Sequence, residues 1–180
     1  FIDTFDTINA ENIYVLPNNG NIIMAANQAA GIYDKAHVYV VPTHSIGDGY
    51  AILSLLDLSG EPEDIIASMN ESMEGVITAE ISTSIRDAHL NGVEIKKDDY
   101  IGIFGKEVKA STNDIFKTAK ETLDKMELQD KSLLLVVRGK DGTKEISSKI
   151  VEYAKTVNKY IEISETDGMQ EVYPFLMIVE

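Results

Sequence analysis

The chain has 180 residues, 44% hydrophobic and 26% charged, with a formal net charge of -14. Apolar content at this level offsets the entropy of ordering a backbone, so intrinsic disorder is excluded. The acidity reads as spread along the whole chain with no charged tail. Such a field repels phosphate backbones and anionic lipid, which makes nucleic acid and membrane surfaces poor partners and a basic partner a good one.

There is no cysteine, so neither a disulfide framework nor thiolate chemistry is available. No apolar run reaches bilayer length, and the opening FIDTFDTINAEN is too polar and acidic for a signal peptide. A cytoplasmic protein is expected. The first residue is Phe rather than Met, and the chain is read as a piece of a longer protein.

Residues 12–16 (NIYVL) predict a buried strand, and PNNG follows as a turn. Residues 21–36 then place Ile22, Ile23, Ala26, Ala29, Ala30 and Tyr33 near helical spacing. Residues 37–41 (HVYVV) repeat the strand pattern, PTHSIGDG makes a second loop, and YAILSLLDL opens a second helix. Two buried strands joined by a helix form a right-handed βαβ unit with parallel strands. Residues 61–75 predict another helix, with Pro62 at its start and Ile65, Ile66, Met69 and Met73 on one face.

After Gly75 the texture changes. Residues 76–85 alternate as a strand with one wet face, and Asn91-Gly92 marks a tight turn. Residues 93–108 continue the antiparallel meander. Ser111 or Thr112 is expected to cap a helix carrying Ile115, Phe116, Ala119 and Leu123, with Asp114 in its first turn. Residues 133–137 (LLLVV) are a buried strand, RGKDGTKE feeds a helix through about residue 158, and strands are expected at 160–163 and 173–179. The fold class is therefore α/β with two lobes. Residues 1–76 form a parallel βαβ lobe, and residues 77–180 form a mixed, partly antiparallel α+β lobe.

Ligands of open α/β sheets bind beyond the carboxyl ends of strands, where helix N-termini favour anions. Asn18 and Asn19 sit there. They serve either as caps or as amides offered to a ligand or a partner's backbone, and capping stands ahead. Pro42, Thr43, His44 and Ser45 form the matching loop after the second strand, and adjacent strands would bring the two loops together. His44 and Ser45 do not make a working triad, because a nucleophile needs an oriented base and an oxyanion hole. Arg86 ends a strand, where it either clamps an anion or pairs with Asp87. His37, His44 and His89 lack metal-ligand spacing, and GIFGKEV is not a phosphate-binding loop. No catalytic residue and no metal ligand is assigned.

Several segments, taken in order, resemble the C-terminal domain of the FakA-type fatty acid kinases, also grouped as dihydroxyacetone-kinase-like, DegV-associated proteins. They are NAENIYVLPNNGNIIMAANQAA, VYVVPTHSIGDGYAIL, ISTSIRDAHLNGVEIKKDDYIGIFGKEV and YPFLMIVE. The resemblance covers nearly the whole chain. It departs at TDGMQEV, in place of a Gly-Gly-Gln-Pro-like turn, and at IGDG, in place of Pro-Gln-Gly. It implies a DegV-like fold and a division of labour. ATP and Mg²⁺ would belong to an absent N-terminal domain, with no cofactor in this one. The partners would be other domains of the same parent chain and a DegV-like, fatty-acid-carrying (FakB-type) protein. Asn18, Asn19, Pro42, Thr43 and Arg86 match the family's recurrent positions and are expected, with Ser45, to form a ligand- or partner-facing rim. The alternative is a stand-alone domain that binds a fatty acid or another small ligand.

Overall fold

Two units make up the computed structural model, Phe1–Val76 and Ile77–Glu180, and it describes all 180 residues. In the first unit a single helical turn, α1 (Ile2–Phe5), precedes β1 (Asn12–Val15), α2 (Gly20–Ile32), β2 (His37–Val40), α3 (Ile46–Leu55) and α4 (Pro62–Ser72). β1 and β2 pair in parallel from Asn12 with His37 to Val15 with Val40, and α2 is the crossover between them. Tyr14 and Tyr39 are register partners, and their rings stack at 5.4 Å. Aromatic pairs of this kind are a main stabilising element of adjacent strands.

Two apolar clusters hold the unit. Phe5, Ile13 and Ala29 form one, with the Tyr33 ring edge-on to Phe5 at 5.3 Å. Val41, Ile52, Ile65 and Met69 form the other. α2 buries Ala26 and Ala29 but leaves Ile22 exposed, so its inward face is narrower than the periodicity predicts. It also stops at Ile32, short of the expected residue 36. Lys35 turns to an ion pair with Asp6 at 2.7 Å, and the His37 N–H donates to Glu11 O, which starts the strand. α3 begins at Ile46 rather than Tyr50. Half of the expected loop is its first turn, stabilised by a capping box between Ser45 and Asp48. In α4 Pro62 occupies the start of the helix, where its missing N–H costs nothing, and Ile65 and Met69 are buried.

The second unit is built on one six-stranded sheet. β3 (Ile77–Thr83) is followed by a hairpin of β4 (Ala88–Leu90) and β5 (Val93–Ile95), then β6 (Tyr100–Phe104), β7 (Glu107–Thr112), α5 (Ile115–Leu123), β8 (Leu133–Arg138), α6 (Lys144–Val157), β9 (Glu162–Asp167) and β10 (Phe175–Val179). The sheet order is β7-β6-β3-β10-β8-β9, and only β8 and β9 run parallel. β10, buried throughout, lies between β3 and β8. The core gathers Ile81, Leu123, Met126, Leu134, Val136, Ile150, Phe175 and Met177.

The Asn91-Gly92 turn has φ of 54° and 77°, as a two-residue hairpin with the strands' own twist requires. Asn91 Oδ1 accepts the Val108 N–H at 3.2 Å, which ties the hairpin to β7. The helix cap after β7 is Asp114, whose carboxylate accepts the Lys117 N–H at 2.7 Å. Ser111 and Thr112, the expected caps, are the last residues of β7. β9 begins at Glu162 and runs four residues beyond the predicted end at Ile163. It is an exposed edge strand held by pairing to β8, and its charged side chains hide it from a periodicity reading.

Candidate functional site

The strand-end loops of the first unit meet as the topology requires. β1 hands over to Leu16-Pro17-Asn18-Asn19, and β2 to Val41-Pro42-Thr43-His44-Ser45. Because the strands are adjacent and parallel, both loops leave the same end of the sheet. The Asn18 N–H donates to Thr43 Oγ1 at 2.8 Å, and the Thr43 side chain is fully buried. Asn18 takes the left-handed backbone region, with φ of 55°, which Asn tolerates better than most residues. Its side-chain amide lies against Gly49 of α3, where a Cβ would stand 2.5 Å from Oδ1. That Oδ1 is buried and has no hydrogen-bond partner. Asn19 caps α2 by accepting the Asn21 N–H at 2.9 Å, so the capping role holds for Asn19 and not for Asn18.

Ser45 Oγ donates to Asp48 Oδ1 at 2.8 Å and accepts the Asp48 N–H at 3.2 Å. Asp48 Oδ2 also accepts the His44 N–H at 2.6 Å. A hydroxyl held in this way is a helix cap, and the imidazole of His44 stands exposed rather than ordered as a base. Pro42 and Asn19 are exposed, so they are the rim residues that face outward.

Arg86 belongs to the second unit and is exposed just past β3. Its backbone is held by Ser84, whose Oγ donates to Arg86 O at 2.7 Å. The expected alternative of an Arg86–Asp87 pair is not formed, because the Asp87 carboxylate accepts the Lys97 N–H at 2.7 Å instead.

The second unit also carries a polar cavity of about 290 Å³ at the carboxyl ends of β8 and β9, beside the start of α6. Arg138 pairs there with Asp167, and Ser147 Oγ donates to Glu165 Oε2 at 2.5 Å. The charges of this cavity are thus largely spent on one another. Sequence reasoning missed it, although RGKDGTKE repeats the strand-loop-helix handover that flagged the first unit. A second groove, of about 470 Å³, lies along α5 and α6 beside Phe116 and Tyr153. The Tyr153 hydroxyl donates to Asp124, and burial, aided by that carboxylate, pushes its pKa up to about 12. No three His, Cys, Asp or Glu side chains converge as metal ligands. No helix is long and apolar enough to cross a membrane.

The acidity, read as spread along the chain, is concentrated in one unit. Residues 1–76 hold one lysine and no arginine against eleven Asp and Glu, a net charge of -10. Residues 77–180 hold fifteen cations against nineteen acids, a net charge of -4. The even count of acids along the sequence conceals this, because the asymmetry lies in the missing cations.

Known proteins share this arrangement. Protein YloV of Bacillus subtilis is 30% identical over 179 residues, covering 99% of this chain and 32% of its own length. An uncharacterised protein of Staphylococcus saprophyticus is 36% identical over 166 residues, covering 92% of this chain and 30% of its own. The chain therefore spans about a third of the length of these relatives. Among solved structures, the Fatty Acid Kinase (Fak) B3 protein of Streptococcus pneumoniae, loaded with linoleic acid, superposes with a TM-score of 0.71 at 12% identity, covering 99% of this chain and 74% of that one. DegV of Bacillus subtilis, a fatty acid binding protein, gives 0.62 at 14% identity, with 99% and 74% covered. At such identities the likeness establishes a DegV-like fold. The FakA-like, C-terminal family of the fatty acid kinases matches residues 1–180, and this chain belongs to that family.

Proposed function

We propose that this chain is the non-catalytic C-terminal domain of a bacterial, cytoplasmic fatty acid kinase. It engages a DegV-like, fatty-acid-carrying (FakB-type) partner while ATP and Mg²⁺ are bound upstream in the parent protein, during ATP-dependent formation of an acyl phosphate. The observation that carries this reading is the family match over every residue of the chain. The site chemistry is consistent with it: Ser45 and Asp48 are committed to a helix cap, and no nucleophile lies beside an oriented base. Within this reading Asn19, Pro42 and Arg86 face a partner, whereas Asn18, Thr43 and Ser45 hold the strand-end loops in shape.

Isothermal titration of the chain with each DegV-family protein of its own genome is the test. The expected result is a one-to-one complex and no ATP turnover by the chain itself. Failure to bind any of them, or measurable phosphoryl transfer by the chain alone, would remove the proposal. The second reading, a fatty-acid-binding domain in its own right, draws on solved neighbours that carry bound fatty acids. Native mass spectrometry distinguishes it, because a co-purified acyl chain is expected only on that reading.

A further inference from the structure

Helix α3 (IGDGYAILSL) is apolar on both sides. Ala51 and Ile52 point into the first unit and are buried. Ile46, Tyr50 and Leu53, at i, i+4 and i+7, share the opposite face and are 49%, 40% and 63% exposed. Asp48 and Ser54 are the polar residues of the helix, besides the tyrosine, and both are engaged. Asp48 spends its carboxylate in the capping box, and Ser54 Oγ donates to Tyr50 O at 2.8 Å, within the same helix. Apart from the Tyr50 hydroxyl, the outward face offers water no free polar group. A helix hydrophobic all round is normally covered on all sides, and a rimmed apolar stripe marks an interaction surface.

Charge decides what covers it. The unit that carries α3 has a net charge of -10, and its one lysine, Lys35, is already paired with Asp6. A second copy of the chain would bring the same negative field against itself. Nucleic acid and an anionic membrane are repelled for the same reason. A protein surface with apolar side chains inside a ring of lysine and arginine is complementary in both respects.

We infer that the outward face of α3 is the docking surface for the acyl-carrying partner, which presents apolar side chains ringed by basic ones. This rests on the function proposed above. Ile46, Tyr50 and Leu53 supply the buried centre of the contact, and the acidic unit around them steers the approach.

The experiment titrates the wild-type chain, Tyr50→Gln, Leu53→Gln and a control, Tyr160→Gln, with each DegV-family carrier by surface plasmon resonance. Tyr160 is as apolar and is 82% exposed, but lies in the second unit. Both α3 variants are expected to bind about tenfold more weakly, and the control to bind as wild type. The association rate is expected to fall steeply between about 50 and 500 mM NaCl. Circular dichroism melts confirm that the variants fold. If the complex forms and neither α3 variant weakens it, the docking face is elsewhere; this inference fails while the proposed function stands. If no carrier binds the wild type, the proposed function fails and this inference with it. If the wild type sediments as a dimer that Leu53→Gln converts to a monomer, a second copy covers α3 and the inference is overturned.

Discussion

The backbone N–H of Asn18 and the hydroxyl of Thr43, 25 residues apart in sequence, meet at 2.8 Å, and Thr43 is fully buried. This bond joins the loop after β1 to the loop after β2. Those loops lead directly into α2 and α3, so the placement of both helices depends on it.

Thr43→Val tests that dependence. Valine keeps the shape but leaves the Asn18 N–H without an acceptor, which costs about 1–3 kcal/mol. Urea denaturation of the variant is expected to show a lower midpoint with an unchanged slope. An unchanged midpoint would mean that the bond contributes nothing to the unit.

Gly49→Ala sets two effects against each other. In an ordinary helix interior the change gains about 0.5–1 kcal/mol, because glycine is the more flexible residue. Here the new methyl would stand 2.5–2.9 Å from the Asn18 amide, and overpacking costs about 1–3 kcal/mol. Destabilisation is therefore expected. Asn18→Gly removes the obstructing amide and suits the φ of 55° at that position. In the Asn18→Gly background Gly49→Ala is expected to be close to neutral, a coupling of about 1 kcal/mol or more. Simple additivity in the double-mutant cycle would refute the contact.

Glu80 on β3 gives a pH dependence. Burial pushes its pKa above the ordinary value of 4.5, against the opposing effect of a hydrogen bond from Tyr173. The same burial, with the neighbouring Glu80, pushes the Tyr173 hydroxyl up. A carboxyl raised in the folded state contributes stability below its unfolded pKa and loses it as pH rises through the folded value. Glu80→Gln keeps an acceptor for Tyr173 without the charge. It is expected to be more stable than wild type at pH ~7 and to lose that advantage near pH ~4. A difference in urea midpoint that stays constant across that range would show that the charge is not the cause.

Much of the fold was legible because its signals are local. LLLVV and NIYVL are strands on composition alone, Asn91-Gly92 specifies its hairpin, and Pro62 marks a helix start. The signals failed where structure is held from a distance. Ser111 and Thr112 look like caps, but pairing to β6 keeps them in β7. Gly47 and Gly49 look like loop residues, yet both lie inside α3 and are buried. β9 extends to Asp167 only because β8 runs beside it. The candidate site was legible as a pair of loops, since two strands joined by one helix must be parallel. The contact of Asn18 with Gly49 was not, because nothing near either residue in sequence refers to the other.

By itself the amino-acid order determined the class of fold, the succession of strands and helices, and a family resemblance carried by its loops, because hydrophobic period, turn chemistry and caps act over a few residues. Only the tertiary structure decided that β10 lies between β3 and β8, that the acidic excess belongs to one unit, and that one face of α3 is left uncovered. The physical reason is that burial and strand pairing join residues far apart in the chain. An isoleucine or leucine reads the same in sequence whether it fills a core or faces outward.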